Sequence, residues 1–459
     1  MQTGVTVPAQ PASRNSQLPP GPRSFLPGAA LRAMQRDPLG FLTRNAREYG
    51  DVSSWTFGPQ RVFLFAHPDH VREVLVANDR SFMKGRALQR TKVILGEGLL
   101  TSEDPLHRRQ RRLTQPSFHQ QRVARYAEVM VEEGERTAER WRSFGELDVH
   151  HEMMRTTLAI VARTLFGAVV DEEADDIGAA LSDLMEMFPL LLNPFSDLIR
   201  KLPLPRIRRF HRAIERLDST IFRIIEERRA TGEDRGDLLS MLLLARDEDD
   251  GGAMSDRQVR DEVMTLFLAG HETTANALTW TFHLLGQHPE VEGELHRELD
   301  AVVGDRAIEP ADYPRLPFTK SVFAEAMRIF PPAWAIGRLA LEDVRIGEVI
   351  VPQGAIAIVA PIVTHRDARW WPEPMRFEPA RFAAADPARP KFAYFPFGGG
   401  SRVCIGESFA WSEGVLVLAA LARRWRLTPA PGSRVEPRGL ITLRPKGPVR
   451  MRLERRGSA

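Results

Sequence analysis

The sequence is poor in cysteine, in net charge and in long apolar runs, and each shortage argues against a class of protein. Its single cysteine, Cys404, cannot form an intrachain disulfide, which fits a reducing cytoplasm. The 63 lysines and arginines against 60 acidic residues leave a net charge of only +3, which argues against a nucleic-acid-binding surface. No stretch reaches the roughly 18 apolar residues of a membrane span, and residues 1–17 lack the apolar core of a signal peptide. We therefore expect a cytoplasmic protein without a membrane span or a nucleic-acid partner.

What the chain does have is a glycine-rich loop around that cysteine. Three consecutive glycines at 398–400 precede Cys404, and a periodic apolar segment at 408–425 predicts a helix after it. Glycines let the backbone pass close to a flat ligand and turn its amides toward an anion. The helix N-terminus and Arg402 are expected to lower the pKa of the thiol. A lone cysteine is more often a small buried side chain, but these surroundings favour a thiolate bound to a metal.

The same loop resembles the haem-ligand loop of the cytochrome P450 family. Its pattern, Phe-x-x-Gly-x-Arg-x-Cys-x-Gly, is matched by Phe397, Gly400, Arg402, Cys404 and Gly406. Such a match should arise by chance in a chain of this length only about once in ten thousand. The resemblance implies that Cys404 is the axial ligand of haem b (iron protoporphyrin IX), with Phe397 packed beside the sulfur. In this family the thiolate pushes electron density toward the iron and favours O–O cleavage.

A second part of the haem site is implied upstream of the loop. His107 and Arg111 lie at i and i+4, so they share one helix face and could together bind a carboxylate, although such pairs are common by chance in an arginine-rich helix. The family carries Trp-x-x-x-Arg or His-x-x-x-Arg at this place, hydrogen-bonded to a haem propionate. The resemblance therefore implies a haem-binding set made of His107, Arg111, Arg338, Phe397, Gly398, Arg402 and Cys404.

Residues 255–286 predict a long helix with an unusual middle. Ser255 and Gln258 form a capping-box pattern, and Pro289 limits the other end. The segment 269–274, Ala-Gly-His-Glu-Thr-Thr, interrupts an apolar run, and a glycine there costs about 1 kcal/mol. From the residues alone, this is either a tolerated core defect or a functional break.

The segment matches the family's Ala/Gly-Gly-x-Asp/Glu-Thr-Thr motif. The resemblance makes Thr273 the alcohol beside bound oxygen and Glu272 the acid that relays protons to it, since O₂ cleavage in a dry pocket needs protons. His271 receives no role. Relatives that use hydrogen peroxide directly usually lack this alcohol, so its presence favours a monooxygenase.

Three further patterns concern the scaffold and the pocket. Glu325 and Arg328 would by themselves indicate a surface salt bridge, but they resemble the family's buried Glu-x-x-Arg pair, with Arg381 as its partner. Segment 82–101 is irregular and resembles the family's segment over the haem, and segment 185–195 is too apolar for a solvated loop. Each either borders the substrate pocket or packs as ordinary structure. Within the first, the candidates for facing substrate are Val93, Ile94, Leu95, Leu99 and Leu100. A terminal hairpin is predicted for 440–443 with 449–453.

We therefore expect a mainly α protein with small β-sheets, in which haem lies between the long central helix and the cysteine loop. Residues 1–22 are expected to be a disordered lead and residues 23–459 a single catalytic domain. The implied activity inserts one oxygen atom of O₂ into a C–H bond of a lipophilic molecule such as a fatty acid, terpenoid or steroid. The alternatives are a peroxide-driven enzyme, a lyase or isomerase of the same fold, and a non-catalytic haem sensor.

The sequence contains no flavin or iron–sulfur motif, so electrons are expected to come from elsewhere. The resemblance implies NAD(P)H as their source and a separate ferredoxin or flavodoxin-type protein as the direct donor. Basic residues near the cysteine loop are the expected contacts of that partner, namely Arg109, Arg112, Arg423 and Arg424.

Overall fold

Helices make up most of the protein. The computed structural model describes residues 18–22, 28–143, 145–167, 204–246 and 251–457, with isolated positions between 178 and 202. In chain order its described helices are α1 (Ala29–Arg36), α2 (Pro38–Tyr49), α3 (Pro68–Arg72), α4 (Arg86–Gln89), α5 (Lys92–Leu95), α6 (Leu106–Thr114), α7 (Gln120–Arg140), α8 (Val149–Phe166), α9 (Pro205–Thr231), α10 (Leu238–Leu244), α11 (Asp256–Leu285), α12 (Pro289–Val302), α13 (Pro317–Ile329), α14 (Pro361–Thr364) and α15 (Glu407–Arg424). Among them, none combines the length and the apolar composition needed to cross a bilayer.

The β-strands are short, and in the described part of the chain they form four small sheets. They are β1 (Val52–Phe57), β2 (Gln60–Phe65), β3 (Phe82–Lys84), β4 (Glu146–Asp148), β5 (Ile336–Ala340), β6 (Val344–Ile346), β7 (Val349–Val351), β8 (Ile356–Val359), β9 (Trp425–Pro429), β10 (Pro437–Gly439), β11 (Leu443–Pro445) and β12 (Arg450–Arg455). The sheets have the orders β1-β2-β8-β5-β3, β4-β12-β9, β6-β7 and β10-β11. The predicted fold class, mainly α with small β-sheets, is confirmed.

The predicted terminal hairpin is wrong. β12 pairs with β9 and β4, while β10 pairs with β11. This arrangement places Met451 beside Leu147, and both belong to the main apolar core. Burial of these side chains therefore outweighs pairing with the nearest strand along the chain.

The long helix α11 is the axis of the fold. Ser255 and Gln258 form the predicted capping box, and the helix ends at Leu285, just before Gly286. Its 30 residues span about 45 Å. Every residue from Val259 to Phe282 is buried except Ala269, Gly270 and Thr273, so the helix crosses the interior and brings its middle to the centre of the protein.

Residues at the end of the predicted lead contact the fold. The hydroxyl of Ser54 donates to the carbonyl of Pro19 at 2.8 Å, and the backbone N–H of Ser54 donates to Pro20 at 2.9 Å. Residues 1–17 lie outside the described residues, so a disordered lead stays a prediction for them.

Glu325 and Arg328 are fully buried in the main body of the protein, where water cannot screen their charges. The guanidinium donates from Nε and Nη2 to the two carboxylate oxygens at 2.6 and 2.7 Å. Arg328 also donates to the carbonyls of His365 and Pro374, and Arg381 lies 3.4 Å from Glu325. The pair therefore fastens α13 to the chain segment that precedes the cysteine loop, as a buried ion pair whose hydrogen bonds are satisfied.

We predict that Arg328→Met destabilises the protein by about 3–5 kcal/mol, because it leaves the Glu325 carboxylate buried without its partner. The matched control is Arg376→Met, which breaks the exposed i,i+3 pair of Arg376 with Glu373 and should cost less than about 1 kcal/mol. Urea unfolding of the haem-loaded protein, followed by circular dichroism, measures both. Equal losses in the two variants would contradict a structural role for the buried pair.

Candidate active site

The cysteine loop folds back on itself before α15 begins. The backbone N–H of Cys404 donates to the carbonyl of Phe397 at 3.0 Å and closes the loop. Gly398 and Gly400 have φ values of 76° and 72°, which other residues rarely adopt. A Cβ atom at Gly400 would also lie 1.9 Å from the carbonyl oxygen of Leu75. Glycine at 400 is therefore required by close packing of the loop against the protein itself.

Cys404 is accessible to water, yet burial raises the pKa of its thiol to about 11. A thiol can be accessible to water and still lie deep in the protein if it borders an enclosed space. The backbone N–H of Gly406 and the charge of Arg111 oppose this rise but are weaker. The helix terminus thus lowers the pKa as expected, but burial outweighs it, so the expected net fall is wrong for the free thiol. A metal cation on the sulfur would produce the thiolate, since a coordinating thiol loses its proton.

The middle of α11 presents a second accessible surface inside the protein. Ala269, Gly270 and Thr273 follow the spacing i, i+1, i+4, so they share one helix face. A Cβ atom at Gly270 would lie 3.1 Å from Cγ2 of Val161, so this glycine also lets α8 pack closely. A face that is open in the middle of an otherwise buried helix fits one wall of a cofactor and substrate cavity.

A group of buried cations lies near the loop. Arg338 is buried, and burial lowers its pKa to about 10. Among the described residues its only hydrogen-bond acceptor is the carbonyl of Gly337, at 3.3 Å. Lys84 pairs with Arg338 across β3 and β5, and burial lowers the pKa of this lysine to about 7. Buried positive charge of this kind is costly unless anions balance it, so the cluster fits the carboxylates of a cofactor.

The other predicted propionate ligands lie around the same cluster. Burial lowers the pKa of His107 to about 4, so this side chain is a neutral hydrogen-bonding group rather than a cation. Arg111 donates to the carbonyl of Val403 at 2.8 Å, which joins α6 to the cysteine loop. Arg402 donates to Phe82 and Glu103, both at 2.7 Å, while its buried Nε has no partner among the described residues.

Glu272 and Thr273 point in different directions. The hydroxyl of Thr273 donates to the carbonyl of Ala269 at 2.7 Å, within the accessible face. Glu272 accepts a hydrogen bond of 2.6 Å from the hydroxyl of Thr442, with Nε of Arg444 at 3.9 Å. Burial raises the pKa of Glu272, and Arg444 and Thr442 oppose that rise. The two side chains lie about 100° apart because they are consecutive in a helix.

The predicted pocket segments are only partly accessible. Ile94 and Leu95 are buried in the main core and Leu99 is buried as well, which leaves Val93 and Leu100 as the half-buried candidates for facing substrate. Most of segment 185–195 lies outside the described residues. Its described apolar positions, Met187 and Leu190, pack with the main core, which favours the structural interpretation for these two.

Sequence reasoning missed the polar partners that come from distant elements. Thr442 and Arg444 reach Glu272 across about 170 positions of the chain, and no local pattern indicates this. Lys84 carries a weak signal, since strand alternation places it on the same face as the buried Phe82. Phe397 lies with its ring centroid 5.7 Å from that of Trp411 on α15, close to the cysteine as expected.

Comparison with known proteins agrees with this geometry. The family model "Cytochrome P450" matches residues 19–449. Cyclooctatin synthase of Streptomyces melanosporofaciens is 43% identical, with 96% of each chain covered. Cyclooctat-9-en-7-ol 5-monooxygenase of the same organism is 36% identical, with 87% of each chain covered. Pentalenene oxygenase of Streptomyces avermitilis is 37% identical over 92% of this chain and 94% of its own.

An accessible cysteine in a closed loop and an opened face in the middle of a central helix are the features expected of a haem-thiolate protein. The chain belongs to the cytochrome P450 family, and it is a monooxygenase. The family uses haem with a cysteine thiolate ligand, O₂ and electrons from a redox partner. Cys404 is the only cysteine that this chain offers for that ligation.

We predict that Gly400→Ala impairs the loop far more than Gly398→Ala. Both substitutions place alanine at a positive φ, which costs about 1–3 kcal/mol. At Gly398 the nearest atom to the new methyl group is Cδ1 of Ile336 at 3.5 Å, an ordinary contact, whereas Gly400 also gains the clash with Leu75. Haem content per protein and the thermal midpoint measure the difference. Equal effects would show that the clash is relieved at little cost.

Proposed function

We propose that this enzyme hydroxylates a terpenoid at an unactivated C–H bond. The observation that carries the proposal is the accessible face of Ala269, Gly270 and Thr273 in an otherwise buried helix. It offers substrate an apolar surface and a single hydroxyl. The relatives named for cyclooctatin, cyclooctat-9-en-7-ol and pentalenene support the substrate class. The half-buried Val93 and Leu100 add apolar lining.

In this proposal Cys404 holds the haem iron, and the haem supplies oxygen activation. Arg111, Arg338 and Arg402 neutralise its propionates, and His107 contributes a neutral hydrogen bond. Phe397 and Gly398 shape the loop around the sulfur. These roles rest on the match to the family motifs and on the excess of buried positive charge near the loop.

Protons reach the oxygen through Thr273 and Glu272. The Thr273 hydroxyl holds a proton at Oγ1 inside the accessible face, because its bond to Ala269 can be exchanged for one to a ligand. Glu272 is the acid on the other side of the helix, beside Arg444. It has to turn, or act through water, to recharge Thr273.

A ferredoxin-type protein is the proposed direct electron donor, with NAD(P)H as the source. Arg423 pairs with Glu135 at 3.0 Å, and Arg424 pairs with Glu139 at 3.1 Å. Docking would therefore have to exchange these ion pairs for pairs with the partner, and Arg109 and Arg112 on α6 complete the proposed set of contacts. We further propose that residues 23–459 form one catalytic domain and that the protein works in the cytoplasm, in keeping with its single cysteine.

Spectral titration tests the substrate class. Cyclic terpenoids should shift the Soret band of the ferric, haem-loaded protein to shorter wavelength, and saturated long-chain fatty acids of similar size should not. A shift with fatty acids alone would overturn the terpenoid proposal. A protein that lacks the thiolate-type haem spectrum would overturn the proposed ligation.

Thr273→Ala tests the reaction type. With a surrogate redox partner, product formed per NAD(P)H consumed should fall on the order of tenfold or more, with hydrogen peroxide accounting for the difference. The control is Thr281→Ala, because the Thr281 hydroxyl makes the same i−4 bond, 2.7 Å to Ala277, on a fully buried part of α11. Thr273→Ser should keep most of the coupling. Unchanged coupling in Thr273→Ala would favour the peroxide-driven alternative.

A further inference from the structure

The turn at 440–443, which joins β10 to β11, lies along one face of α11. Glu272, Asn276 and Trp280 follow the spacing i, i+4, i+8, and each bonds to this turn. Glu272 accepts from the Thr442 hydroxyl at 2.6 Å, Asn276 donates to the same oxygen at 3.2 Å, and Nε1 of Trp280 donates to the carbonyl of Leu443 at 3.0 Å. The turn is therefore docked at the level of the acid and on the two helical turns that follow.

These bonds form a buried chain that begins on α8. Nε2 of His150 lies 3.2 Å from Oδ1 of Asn276, and Nδ2 of Asn276 lies 3.2 Å from Oγ1 of Thr442. With Oδ1 of the Asn276 amide assigned to the His150 side, this oxygen accepts, and the His150 ring carries its proton on Nε2. The Thr442 hydroxyl accepts a hydrogen bond from the Asn276 amide and donates one to Glu272. All three hydrogens therefore point toward the carboxylate, which is the terminal acceptor.

We propose that Thr442, supported by Asn276 and His150, is a positioning residue that favours the ionised form of Glu272 and holds this side chain turned away from Thr273. This inference rests on the proposed role of Glu272 as the acid of the reaction. A hydrogen bond to a charged acceptor is stronger than a neutral one, and a chain of donors pointing the same way strengthens it further. Because an amide nitrogen does not readily release a proton, the chain fixes the acid and does not conduct protons. Proton exchange of Glu272 takes place on its Arg444 side.

The other titratable groups at this level of the helix leave Arg444 as the ionised neighbour of Glu272 among the described residues. Burial lowers the pKa of His150 to about 3 and that of His271 to about 4, so both imidazoles are neutral. Glu413 on α15 faces Thr274, and burial raises its pKa well above the usual range, so it is neutral too. Burial therefore raises the pKa of Glu272, while Arg444 and Thr442 lower it.

Loss of the Thr442 hydroxyl should raise the pKa of Glu272. Thr442→Val keeps the shape of the side chain and removes the hydroxyl, so burial prevails, and Glu272 takes up a proton at higher pH than in the native protein. The pH profile of product formed per NAD(P)H should move upward by about one pH unit, the size expected for a lost hydrogen bond to a charged group. Thr442→Ser retains the hydroxyl and should restore the native profile.

A readout without turnover separates this inference from the substrate class. Infrared difference spectra of the ferric, substrate-free protein against pH report protonated buried carboxyls, and Glu272→Gln identifies the band of Glu272. We expect the Glu272 carbonyl band to appear at higher pH in Thr442→Val than in the native protein and in Thr442→Ser. This result needs no terpenoid, so a wrong substrate class leaves it standing.

Other results would overturn the inference about Thr442. If Thr442→Val binds haem and melts normally but shows neither the infrared shift nor the shifted profile, the inference is overturned. If Thr442→Val fails to fold, His150→Leu decides, because it removes the first donor of the chain at a half-buried position and should cause a smaller shift in the same direction. If His150→Leu shows no such shift, the inference is also overturned. If Glu272→Gln leaves coupling unchanged, the proposed acid fails, while the infrared result on Thr442 still reports the chain.

Discussion

The near-complete burial of α11 is the constraint on which the rest of the structure depends. A helix surrounded by protein from Val259 to Phe282 needs a partner for every polar side chain that it carries. Thr279 bonds to the helix's own backbone, while Glu272 and Asn276 recruit the turn at 440–443. The one accessible face between Val259 and Phe282, formed by Ala269, Gly270 and Thr273, is therefore the place where the protein leaves room for a ligand.

The haem side of the site follows a second constraint, the cost of burying charge. Lys84 and Arg338 lie side by side with pKa values lowered to about 7 and about 10, and the Cys404 thiol has its pKa raised to about 11. Each shift disfavours the form that a haem site needs, which is cationic for the bases and anionic for the thiol. A bound cofactor that brings carboxylates and a metal cation reverses all three effects, so its binding should stabilise the folded state.

Much of the fold and of the site could be predicted because it depends on short stretches of chain. For example, α11 starts at its predicted capping box, since cap residues act within about four positions of the chain. Predictions that required knowledge of surroundings did less well. The thiol pKa was expected to fall and rises, because the depth of burial is not visible in the loop sequence. The ion pairs of Arg423 with Glu135 and of Arg424 with Glu139 are likewise not visible in the sequence, while the contact of these arginines with a partner stays a prediction.

The sequence by itself determined the family, the single available thiolate and the order of the motifs, because fixed residues at fixed offsets are properties of the chain alone. Only the tertiary structure decided where Glu272 points, which strands receive β12, and that Lys84 is buried beside Arg338. Each of these depends on contacts between elements far apart in the chain. Their physical reason is the same in every case: apolar side chains must leave water, and the polar groups carried inside with them bond to whatever the packing brings near.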